Sequence, residues 1–153
     1  MQLLRVSCLT LWLALLALLT GCSYHSPSAQ FSADLTTITS WAATAHMVSE
    51  EWARQAVPNA YAKQTLQVAR EELQTAVATL KQLQLSGASA QQRATLLRHV
   101  QRINQLLGQM SKVVEQEKRD AMAPLRRQLA TEEKAINTLA KSAQSVKKAG
   151  GQA

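Results

Sequence analysis

The feature that most restricts this chain is a succession of apolar residues recurring at alternating four- and three-residue steps between Phe31 and Val146. Such steps follow the period of an α-helix, so each series falls on one helical face; a strand, with period two, would scatter them over both faces. The cleanest series is Leu96, Val100, Ile103, Leu107, Met110 and Val114. Two precede it: Phe31, Leu35, Ile38, Ala42, Ala45, Trp52 and Ala56, interrupted only by Ser49, and then Ala62, Leu66, Ala69, Leu73, Ala76, Leu80 and Leu83. A fourth comprises Leu125, Leu129, Ile136, Leu139, Ala143 and Val146. With only 5 glycines and 3 prolines in the chain, little interrupts helix.

The breaks between series set the architecture. Pro58 stops a first helix spanning 31–56, because proline lacks the amide hydrogen and disfavours a helical residue before it. Asn59 is a suitable N-cap for a second helix over 60–85, which Ser86-Gly87 ends. Ser89 and Gln92 have the spacing of a capping box for the third. Asp120–Pro124 reads either as a turn or as a kink in one rod. The helices, about 26, 26, 31 and 25 residues long, would each span roughly 40 Å. Matched lengths and short links predict an all-α, antiparallel up-down four-helix bundle over 31–148, with a disordered tail at 149–153. The alternative is an extended coiled coil in which helices three and four form one kinked rod and a partner chain covers its stripe.

The first residues have a different character. Val6 to Leu19 is almost wholly apolar behind Arg5, too short for the roughly 20 residues of a membrane-spanning helix and of the form of a secretory signal. The residues that end it, Leu19-Thr20-Gly21-Cys22, resemble the lipobox of bacterial lipoprotein precursors, with Thr20 where Ala or Ser is commoner. That resemblance implies removal of a signal peptide, residues 1–21, by cleavage between Gly21 and Cys22. It also implies a diacylglycerol on the Cys22 thiol and acylation of the new amino terminus. Ser23 resembles the residue of the outer-membrane sorting class, which implies a periplasm-facing protein anchored in the outer membrane. Residues 22–30, small, polar and broken by Pro27, read as a flexible tether. The other cysteine, Cys8, lies in the segment to be removed, so the mature chain would be held by packing alone.

Charge is unevenly shared. Residues 22–88 carry four basic and five acidic side chains, whereas residues 89–153 carry twelve basic and five acidic. Arg98, Arg102, Lys112 and Arg119, with Gln105, Gln109 and Gln116, repeat on the face of the third helix away from its apolar stripe. A solvated face is the ordinary reading. The sharper one is a surface facing anions such as phospholipid headgroups, lipopolysaccharide phosphates, peptidoglycan carboxylates or an acidic protein. Nucleic acid would also fit the charge alone, but the exported, lipidated address argues against it, and no nucleic acid partner is expected.

No residue constellation names a reaction. Glu117 and Glu132 continue apolar stripes where hydrophobes belong, and a turn near Pro124 would let them face each other; nearby Lys118, Arg119, Arg126 and Arg127 favour solvated ion pairing over chemistry. His25, His46 and His99 lack the Glu-x-x-His pairing of di-metal bundles, and no metal or cofactor is expected. Trp41, Trp52 and Tyr61 surround the first hairpin, either as core filling or as an interhelical pocket.

The expectation is a non-catalytic structural or accessory envelope factor that binds another envelope protein or peptidoglycan. A carrier or sensor holding an apolar or anionic molecule between the helices is the alternative. In being helical and lipidated the chain is similar to the murein-linked major outer-membrane lipoprotein, whose helix ends in the lysine used for wall linkage. This chain ends Lys148-Ala-Gly-Gly-Gln-Ala153, so covalent wall attachment is not expected.

Overall fold

A computed structural model describes residues 27–150, with side chains described as far as Ser142. The expected signal peptide at 1–21, with its cleavage site at Gly21 and Cys22, His25 and residues 151–153 lie outside the described residues. Four long helices follow in order: α1 Pro27–Ala53, α2 Asn59–Gln82, α3 Gly87–Glu115 and α4 Met122–Gly150, the last entered through a 3₁₀ turn at Arg119–Ala121. Each packs against its neighbours in sequence, α4 closes on α1, and α1 approaches α3 across the diagonal. This is the up-down four-helix bundle. The kinked-rod alternative fails because the chain reverses between Glu115 and Met122 and covers its own stripes.

The apolar stripes form the core. Phe31, Leu35, Ile38, Ala42, Ala45 and Trp52 of α1 meet Ala62, Leu66, Ala69, Leu73, Ala76 and Leu80 of α2. Leu96, Val100, Ile103, Leu107, Met110 and Val114 of α3 and Leu129 and Ile136 of α4 complete it. Each buried Leu or Ile contributes roughly 1.5–3 kcal/mol relative to exposure. Alanines at the contacts of α1 and α2 leave room for close approach and for the fully buried indole of Trp52. The expected stripes are not followed throughout. Leu106 and Met122 are also buried, Ala56 is exposed beyond the end of α1, and Leu83, Leu125 and Leu139 are only half-buried. Ala143 and Val146 lie beyond the described side chains.

The two ends of the bundle are built differently. An even number of antiparallel helices brings the start of α1, the α2–α3 connection and the end of α4 to one end, the terminal end. The α1–α2 and α3–α4 turns meet at the other, the turn end. There, α1 and α3 close in the same way. Ala56 N–H donates to Glu51 O (2.9 Å) and Gln55 N–H to Trp52 O (3.0 Å); Lys118 N–H donates to Val113 O and Glu117 N–H to Val114 O, both 3.1 Å. This is the Schellman pattern. Its left-handed residue is Gln55 (φ 64°) in the first turn and Glu117 (φ 56°) in the second, not the usual glycine. Helix α1 therefore ends at Ala53, before Pro58 can stop it, and α3 ends before Asp120. Pro58 itself holds the cap position of α2, and Pro124 falls in the first turn of α4, where no amide hydrogen is needed.

At the terminal end the expected boundaries also move. Helix α1 begins at Pro27, shortening the expected 22–30 tether, since proline's fixed φ suits a first helical position. Helix α4 continues past residue 148 to Gly150. Helix α2 stops at Gln82 with Leu83 extended (φ −65°, ψ 125°). Gly87, at φ 56°, opens α3 instead of closing α2, and Ser86 stands at its cap position without a side-chain cap bond. Ser89 and Gln92 lie inside α3, so the expected capping box is not the start of that helix.

Candidate functional site

The outward face of α3 carries the sequence-predicted cations in a row. Arg98, Arg102 and Lys112 are exposed, with Gln105 and Gln109 between them. Where α3 meets α4, Arg102, Gln105, Leu106 and Gln109 form one wall of an open groove whose other wall is Gln128, Thr131 and Glu132. A second groove follows α3 itself over Arg98, His99, Gln101, Arg102 and Gln105. Arg98 donates to Thr95 Oγ1 (3.2 Å). Arg102 is 71% exposed yet reaches Glu132 Oε1 at 3.3 Å, so one end of its guanidinium is held and the rest faces solvent. Carboxamides and guanidinium groups side by side can hold carboxylates, carbonyls or peptide groups.

Glu132, 8% exposed, is fixed on both oxygens, because Oε2 lies 2.6 Å from His99 Nδ1. Its neighbour Glu133 takes the other helix: Oε2 lies 3.0 Å from His46 Nδ1 on α1. Consecutive residues of a helix point about 100° apart, so two adjacent carboxylates bind α4 to α3 on one side and to α1 on the other. The sequence reading missed these pairs. The signal it offered was the Glu132-Glu133 doublet with one member on the apolar stripe.

Several predicted sites separate. Glu117 and Glu132 do not face each other. Glu117 is the left-handed turn residue, and Asn59 Nδ2 donates to its Oε1 at 2.5 Å. Arg119 is not part of the row on α3, because α3 ends at Glu115. Its guanidinium stacks over the Trp52 ring at 4.7 Å and donates through Nη1 to Trp52 O at 2.6 Å. Trp52 is fully buried, and its Nε1 donates to Asn59 Oδ1 at 2.7 Å. Asn59 is thus the first residue of α2 and a bridge between the two turns, not a cap. Trp41 is half-buried against the core, while Tyr61 is 54% exposed, so the three aromatics do not enclose a pocket.

Two carboxyls have displaced affinities for protons. Burial pushes Asp34 above the usual 3.8, with the hydrogen bond from Gln30 opposing, and Asp34 Oδ2 has no partner. The Lys63 ammonium pairs with Glu115 and holds it below the usual carboxyl value. Among the described residues, no group of three His, Cys, Asp or Glu side chains is placed to hold a metal ion. None of the described helices is long and apolar enough to cross a membrane. Comparison with known proteins finds no family, curated protein or solved structure that matches this chain.

Proposed function

We propose that the chain is a small bacterial lipoprotein, anchored through acylated Cys22 in the outer membrane. Its periplasmic bundle acts by binding, without catalysis, as a structural or accessory factor of the envelope. The observation that carries the reading is the placement of Leu19-Thr20-Gly21-Cys22 behind an apolar segment and only five positions before the start of a self-contained bundle. Five steps of chain reach at most about 18 Å, so the terminal end would stand next to the bilayer. The partner, another envelope protein or peptidoglycan, would be engaged along the α3 row of Arg98, Arg102 and Lys112 and the adjoining Gln105–Gln128 groove.

Two measurements test this. The intact mass of the chain from native envelopes is expected to be that of residues 22–153 plus acyl groups, and Cys22→Ser should abolish the modification. A photocrosslinking residue at Gln105 or Gln109 is expected to capture a wall fragment or an envelope protein, while one at Gln67 on the outer face of α2 captures neither. An unmodified chain carrying its first 21 residues refutes the anchor. Equal capture from both faces refutes the binding surface.

A further inference from the structure

The charges of the bundle are sorted along its axis. The terminal end comprises residues 27–36 of α1, residues 77–94 around the α2–α3 connection and residues 139–150 of α4. It contains Lys81, Arg93, Lys141, Lys147 and Lys148, and its one acidic residue is Asp34, which is buried. Arg93 donates to Leu83 O, whereas Lys81 and Lys141 are exposed; Lys147 and Lys148 occupy the last turns of α4. The turn end is mixed, with Glu50, Glu51, Glu115, Glu117 and Asp120 set among its bases.

Helix dipoles do not explain the sorting. Antiparallel packing places two helix N-termini and two C-termini at each end, so their fields largely cancel. C-termini favour bases, yet α1 and α3 finish at the turn end with Glu50, Glu51 and Glu115. Only at the terminal end are the C-terminal turns, those of α2 and α4, free of acids.

We infer that the terminal end, through Lys81, Lys141, Lys147 and Lys148, is an electrostatic seat for the headgroups of anionic phospholipids. It holds the bundle upright, with the turn end about 40 Å above the bilayer. The inference rests on the proposed anchorage at Cys22 for bringing this end to a membrane, and it adds a second attachment on the opposite terminus of the chain. Lipid chains give the bundle a tether but no orientation. Basic groups within a Debye length of an anionic surface supply one.

The core closes within residues 31–136, so an unacylated chain of residues 23–153 keeps the bundle and isolates the electrostatic contribution from the lipid. It is expected to sediment with phosphatidylglycerol vesicles but not with pure phosphatidylcholine vesicles. Release is expected as salt rises from about 0.1 to about 1 M and the Debye length falls from about 10 to about 3 Å. Replacing Lys81, Lys141, Lys147 and Lys148 together by Gln should lower the partition coefficient at least about tenfold. The triple variant Arg98→Gln, Arg102→Gln, Lys112→Gln, which leaves the terminal end intact, should stay within about threefold. Circular dichroism of both variants checks the fold. Equal loss in the triple variant, or equal binding to phosphatidylcholine, overturns the inference. So does sedimentation with peptidoglycan sacculi in place of vesicles that the quadruple variant loses, since the wall polymer would then be the ligand of this end. The intact mass of the native chain separately decides whether Cys22 is acylated, so failure of the anchor and failure of the seat are distinguishable.

Discussion

The turn end and the terminal end contain the same kinds of element, two helix starts and two helix finishes, but are held by different forces. At the turn end, side chains interlock. Trp52 donates to Asn59, Asn59 donates to Glu117, and Arg119 covers the Trp52 ring while satisfying its carbonyl. Residues from both turns share one buried indole, so neither turn can open alone. At the terminal end the connection is extended, α2 stops without a left-handed closure, and Lys81 and Lys141 are exposed. The difference teaches where this chain invests specificity. One end is consumed by holding four helices in register, while the other carries exposed lysines such as Lys81 and Lys141.

This contrast can be broken by mutation. The largest effect is expected from Trp52→Ala, which empties the shared site and should cost about 4 kcal/mol in chemical denaturation. Lys81→Gln at the other end should stay within about 0.5 kcal/mol, and comparable losses would erase the distinction. Asn59→Ala strands the buried indole N–H and frees Glu117, for about 2 kcal/mol. Its double-mutant cycle with Arg119→Ala should be non-additive, because both act on Trp52. Gln55→Gly goes the other way. Relieving a left-handed non-glycine residue should stabilise the fold by about 1 kcal/mol, read as a raised urea midpoint.

A smaller effect is expected at the terminal end, from Asp34. Burial raises this carboxyl above its usual value of 3.8, so the folded chain holds the proton more tightly than the unfolded one. Its contribution favours folding below that usual value and is lost as pH rises through the folded value. Asp34→Asn keeps an acceptor for Gln30 and removes the charge. It should raise Tm at neutral pH, with the gain shrinking to nothing in acid; a gain independent of pH would refute this account.

The stripes were legible because a 3.6-residue period needs no knowledge of the partner helix, and the buried residues of α2 and α3 follow them with few exceptions. The turns were less so. Gln55 and Glu117 take conformations that sequence reasoning reserves for glycine, while Gly87, which has such a conformation, starts a helix. Glu132 stood out on its stripe, but its partner His99 lies 33 residues away, and only the register of α4 against α3 brings them together. Arg119 was legible as a cation and misplaced as a surface one, because the end of α3 decides which way it turns. The sorting of charge between ends was hidden for a related reason: the stretches that hold Lys81 and Lys148 come to the same end of the bundle only when the helix count is known.

That even count has a mechanical consequence. Were the chain anchored at residue 22 and a partner held along the α3 face, a pull between membrane and partner would run parallel to the helix axes. Such a force shears α1 against α2 and α4 along their whole length, so many side-chain contacts must yield together. An odd number of helices would put the two chain ends at opposite poles. Here the start of α1 and the end of α4 lie at the same pole, and the turns at the far pole are the ones cross-braced through Trp52.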